Sequence, residues 1–77
     1  MAIKSKLQAR FCEVLIEQRN LKGWSQEELA RRAGIQRTHL SRLETGSKQA
    51  TLETIERLAI ALKLKPENFF LLDAAHA

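Results

Sequence analysis

Residues 25–44 read SQEELARRAGIQRTHLSRLE, and the fold is decided by this stretch. Two short helical segments flank a turn built on Gly34. The first opens on Ser25-Gln26-Glu27-Glu28, a capping box: the serine hydroxyl caps the amide three residues on, and Glu28 reaches back. Leu29, Ala30 and Ala33 form its apolar side. The small Ala30 lets a neighbouring helix approach closely, and Gly34 takes a backbone angle that a side chain resists. The second segment begins at Gln36 or Arg37 and runs to Thr45. It buries Leu40 and Leu43, with Ile35 packing just before it and Gly46 ending it. Two short helices around a glycine-bearing turn are the construction of a helix-turn-helix.

The outer side of the second segment is polar. Arg37, Thr38, Ser41 and Arg42 fall along one ridge by three- and four-residue spacing, with His39 at its flank. Arginine can donate two hydrogen bonds to guanine, and a threonine methyl can sit against thymine, so this face suits a major groove. The charge distribution points the same way. The chain has 77 residues, of which 13 are basic and 9 acidic. Residues 31–48 hold Arg31, Arg32, Arg37, Arg42 and Lys48 against the single acid Glu44, while the remainder is balanced. The whole net charge of +4 therefore lies on the second segment and its flanks. Such clustering is the electrostatic footprint of nucleic-acid binding. On charge alone, a solvated basic face is the competing reading.

Outward from this core motif, helical periodicity continues. A first helix is expected over about 6–21, with Leu7, Phe11, Val14 and Leu15 as its buried stripe and Gly23 at its end. A fourth follows Thr51, with Leu52, Ile55, Leu58, Ala59 and Leu62 on one side. Pro66 and Glu67 suit the first turn of a fifth, over about 66–72, which carries Phe69, Phe70, Leu71 and Leu72. Residues 73–77 are expected to fray. No run alternates polar and apolar as a half-buried strand does. The expected fold is all-α: one domain over residues 1–77, with five short helices.

Several classes are excluded. Cys12 stands alone, so no internal disulfide forms, and it is read as a small packed residue. With His39 and His76 far apart in sequence, no metal site and no cofactor are expected. No apolar run approaches the roughly 18 residues of a membrane span. A cytoplasmic, nucleoid-associated protein is expected. Glu27 and Glu28 are capping residues without a nucleophile or phosphate loop beside them, so an enzyme is not expected. Trp24 is read as a core or lid residue beside the second helix, and Arg31 and Arg32 as a solvated face or as phosphate contacts.

Gly23-Trp24-Ser25-Gln26-Glu27-Glu28-Leu29-Ala30, then Ala33-Gly34-Ile35, then Leu40-Ser41-Arg42-Leu43-Glu44-Thr45-Gly46, resembles the Xre-type helix-turn-helix family of phage repressors and Cro proteins. The resemblance covers roughly residues 10 to 72 and implies a lambda-repressor-like domain. Within the family the chain is most similar to restriction–modification controller proteins, although His39 stands where their usual tyrosine follows Arg-Thr. The resemblance implies base reading by Arg37, Thr38 and Arg42. It implies backbone contacts from Gln26, His39, Ser41, Ser47 and Lys48. It also implies a buried ion pair between Arg19 and Glu44, two residues that sequence alone leaves readable as separate surface charges.

The apolar run Phe69, Phe70, Leu71 and Leu72 exceeds what one short helix buries against its own core. Either it caps the domain, or it forms a two-fold homodimer interface. A dimer would place two recognition helices about 34 Å apart on a palindromic operator in double-stranded DNA. The expected function is a sequence-specific transcriptional regulator, with RNA polymerase as a further candidate partner. The alternative is an antitoxin or adaptor module whose main partner is another protein.

Overall fold

The computed structural model describes residues 5–70. Within them the chain forms α1 (Lys6–Leu21), α2 (Gln26–Ala33), α3 (Arg37–Thr45), α4 (Leu52–Leu62) and a 3-10 turn (Pro66–Phe69). The architecture is all-α, and no strand occurs among the described residues. Three of the helices start on hydroxyl caps. Ser5 Oγ accepts from Gln8 N–H at 3.0 Å, Ser25 Oγ from Glu28 N–H at 3.1 Å, and Thr51 Oγ1 from Thr54 N–H at 3.1 Å. The capping box at Ser25 is only half used. Glu28 turns its carboxylate along the helix instead, accepting from Arg31 and from Arg32 Nε.

Helices α2, α3 and α4 end alike, on a residue at positive φ whose amide and the next return to last-turn carbonyls, while α1 ends on right-handed Lys22 with Gly23 at positive φ after it. In the turn between α2 and α3, Gly34 takes φ 72°, while Gly34 and Ile35 donate to Arg31 O and Ala30 O at 3.3 and 3.0 Å. A Cβ at Gly34 would lie 3.0 Å from Nη1 of Arg57 on α4. Gly34→Ala is therefore expected to lose about 1–2 kcal/mol in urea denaturation from the left-handed backbone alone. At the end of α4 the same task falls to Lys63, at φ 59°.

The core draws on every element: Phe11 and Leu15 of α1, Leu29 of α2, Leu40 and Leu43 of α3, Leu58 and Leu62 of α4, and Phe69. Two residues expected in buried stripes stand outside it. Leu7 is 54% exposed and Leu52 is 86% exposed. Each lies in the first turn of its helix, beyond the neighbours that cover the rest of the stripe. Cys12 is buried, and its thiol donates to Leu43 O at 3.2 Å.

The expected fifth helix is corrected to a 3-10 turn. Phe69 is fully buried, with its ring 5.0 Å from that of Phe11. The tight i-to-i+3 bonds of Asn68 to Lys65 O and Phe70 to Glu67 O bring the ring inward within four residues of Pro66. Leu71, Leu72 and residues 73–77 lie outside the described residues.

Candidate nucleic-acid interface

Helix α3 is held from one side only. Leu40 and Leu43 have no exposed surface, and Glu44 is buried beside them. The opposite side presents Arg37, Thr38 and Arg42 to solvent, with Ser41 and His39 half-buried at its margins. Anchoring of this kind gives the exposed side chains a fixed axis, which is what reading a groove requires. Ser47 and Lys48 follow in the exposed loop after α3. Gln36 provides no side-chain cap, so the first turn of α3 offers its amides without an internal acceptor from that residue.

Ion pairing divides the basic cluster in two. Arg31 and Arg32 both bind Glu28 on their own helix, and Arg32 also lies 4.3 Å over the ring of Trp24. The hydrogen bond from Arg31 is the main reason the Glu28 carboxyl titrates below the usual carboxylate range. Trp24 packs against the core with this cation on its face. Arg37, Arg42 and Lys48 form no ion pair among the described residues. The available positive charge of the cluster thus concentrates on α3 and the loop that follows it.

Behind this face lies a polar junction. Arg19 Nε donates to Glu44 Oε2 at 2.7 Å, and Arg19 Nη2 to Glu44 Oε1 at 3.2 Å. Arg19 Nη1 donates to Trp24 O at 2.8 Å. Gln26 Nε2 donates to Glu44 Oε1 at 3.0 Å. The bidentate pair joins α1 to α3, and the glutamine joins both to the first residue of α2. Every buried side-chain polar atom among the described residues has a hydrogen-bond partner.

Two arrangements escape sequence reasoning. The bond between Gln26 and Glu44 depends on how α2 and α3 pack, and no local spacing signals it. Ser47 Oγ donates to Arg42 O at 3.3 Å, and Thr45 Oγ1 to the same carbonyl at 3.1 Å. Ser47 thus closes the end of α3 in the free chain. A signal for this was present, since Thr45 and Ser47 flank the glycine that ends the helix.

The expected dimer set is dispersed. Phe69 is consumed by the chain's own core and offers no surface to a second copy, which removes it from that set. Phe70 is half-buried, stacked on Phe11 at 6.0 Å between centroids. Leu71 and Leu72 lie outside the described residues. Among those residues no helix is long and apolar enough to cross a membrane. Nor do they contain a group of three His, Cys, Asp or Glu side chains that could hold a metal ion.

Comparison with known proteins agrees with this geometry. Residues 15–69 match the helix-turn-helix family HTH_3. A hypothetical transcription factor from Neisseria meningitidis serogroup B is 51% identical over 41 residues, 53% of this chain. The match spans only 39% of that relative's length. The crystal structure of the hypothetical transcription factor NHTF from Neisseria superposes with a TM-score of 0.85 at 32% identity, covering 99% of this chain and 90% of that one. The restriction–modification controller protein C.AhdI from Aeromonas hydrophila superposes with a TM-score of 0.78 at 36% identity, covering 82% of this chain and 96% of that one. With the helix-turn-helix, its anchored third helix and the unpaired cations in place, the chain belongs to the Xre-like helix-turn-helix family of DNA-binding transcription regulators.

Proposed function

We propose that this regulator binds a palindromic operator as a homodimer, in the manner of a restriction–modification controller. The observation that carries the reading is the outer face of α3, where Arg37 and Arg42 are exposed and form no ion pair among the described residues, on a helix anchored by Leu40, Leu43 and Glu44. In this reading Arg37, Thr38 and Arg42 enter the major groove and contact base edges. Gln26, His39, Ser41, Ser47 and Lys48 contact the flanking phosphates and fix the register. Ser47 exchanges its bond to Arg42 O for a phosphate oxygen on binding.

A domain of this size buries little surface alone, which favours a second copy as a source of stability. Half-buried Phe70, with Leu71 and Leu72, supplies the contact surface in this proposal. Sedimentation at micromolar concentration tests it: a dimer is expected, and a monomer throughout would contradict it. The exposed apolar side chains Leu52 and Ile60 also fit an antitoxin or adaptor, for which a protein partner captured without DNA would be the sign.

Selection of bound duplexes from a random pool, followed by footprinting, tests the DNA reading. Two half-sites about one helical turn apart are expected, with affinity falling steeply as salt rises. A site overlapping the promoter elements would mean repression, and one upstream would bring RNA polymerase in as partner. Lys48→Ala is expected to weaken all operators evenly and to reduce the salt slope by about 1, without changing base preference. Titration of a fixed operator and a scrambled duplex across salt concentrations measures both quantities.

A further inference from the structure

We propose that Glu44, buried on the inner side of α3, is a positioning residue for the backbone contact of Gln26. The proposal rests on the reading above, in which Gln26 grips a phosphate from the first turn of α2. The side chain of Glu44 is 4% exposed, so it cannot itself meet a ligand. Its two oxygens receive three donors: Arg19 Nε, Arg19 Nη2 and Gln26 Nε2.

The chemistry of the glutamine amide gives this arrangement its consequence. Nε2 carries two hydrogens, and Glu44 takes one of them. The other has no partner among the described residues. A phosphate oxygen only accepts hydrogen bonds, so it fits that remaining N–H and not the amide oxygen. Glu44 therefore holds the amide in one orientation and leaves a single N–H for a phosphate. It also orders a long side chain before DNA arrives, so less entropy is lost at binding.

Arg19 is the other half of the device. A lone carboxylate behind Gln26 would repel the phosphate. The bidentate guanidinium cancels that charge and holds the acceptor in place at 2.7 Å. A third bond, from Arg19 Nη1 to Trp24 O, fixes the same group to the backbone just before Ser25. One carboxylate thus registers α1, the entry to α2 and the base-reading helix against one another.

The test compares Gln26→Ala, the paired replacement Arg19→Met with Glu44→Leu, and the triple combination, on an operator recovered by selection. The paired replacement fills the junction with apolar side chains, a change that buried ion pairs commonly tolerate in stability. Gln26→Ala and the paired replacement are each expected to lose about tenfold in affinity, and the triple no more than either. On a duplex carrying an uncharged methylphosphonate at the phosphate mapped by ethylation interference, these differences should vanish. Additive losses, or full affinity in the paired replacement while Gln26→Ala is weakened, would overturn the positioning role. No loss in Gln26→Ala would instead overturn the phosphate grip itself, and the proposal with it. Nuclear magnetic resonance of the unaltered protein gives a check that does not depend on any variant folding. One Gln26 side-chain proton should keep its hydrogen bond to Glu44 in both states, and the other should shift when the operator is added. Loss of the Glu44 bond on binding would overturn the proposal.

Discussion

Arg19→Ala is expected to destabilise the domain by about 3–5 kcal/mol, because it strands a buried carboxylate. Glu44 would keep only the Gln26 amide as a donor, at 3.0 Å, with no other ion-pair partner among the described residues. Trp24 O would lose its donor in the same change. Small domains have roughly 5–15 kcal/mol in total, so the variant is expected to be largely unfolded at moderate temperature. Replacing both partners by apolar residues should cost clearly less, since the donor to Trp24 O is still lost but no uncompensated charge remains. Chemical denaturation of the two variants beside the unaltered chain measures the contrast. Equal stability of Arg19→Ala and the unaltered protein would mean that the pair carries no structural weight.

Phe69→Ala is expected to cost a comparable amount, about 3–5 kcal/mol, by a different cause. The ring is fully buried and tilted against Phe11, with centroids 5.0 Å apart. Removing it opens a cavity between α1, α4 and the 3-10 turn, and a tight turn begun by Pro66 has little freedom to collapse into the space. Phe70→Ala, at a half-buried position, should cost clearly less. Thermal unfolding of both variants at a fixed low protein concentration separates core packing from any effect of self-association. If Phe70→Ala proved the more damaging, the placement of the two rings would be reversed.

These two positions also indicate what the sequence carries. Ser25, Gly34, Gly46 and Thr51 mark helix starts and stops because each supplies a specific hydrogen bond or backbone angle, and those signals are local. Periodicity identifies the inner sides of α2 and α3 for the same reason. It does not say where the core stops, so Leu7 and Leu52 read as buried although both are exposed in the first turns of their helices. Four consecutive apolar residues after Asn68 read as a helix. The burial of Phe69 against Phe11 makes a tighter turn instead, and that contact spans most of the chain.

The interface divides along the same line. The exposure of Arg37, Thr38 and Arg42 was legible because a buried Leu40 and Leu43 dictate the opposite side of α3. The clustering of charge was legible too, but Arg31 and Arg32 read as a solvated face or as phosphate contacts, and only the structure shows both bound to Glu28. The Arg19–Glu44 contact came from family resemblance, and only the fold supplies its geometry. The bond from Gln26 to Glu44 required both the packing of α2 on α3 and the rotamer of each side chain.

The central claim is that the outer face of α3 reads base identity. It is tested most directly by measuring the affinities of the unaltered protein and Arg37→Ala for a selected operator and for every single-base variant of its half-site. Arg37→Ala is expected to lose about 1–3 kcal/mol on the operator and to become indifferent to one base pair per half-site, with preferences elsewhere retained. An Arg37→Ala protein that bound the operator with unchanged affinity and unchanged preference would contradict it.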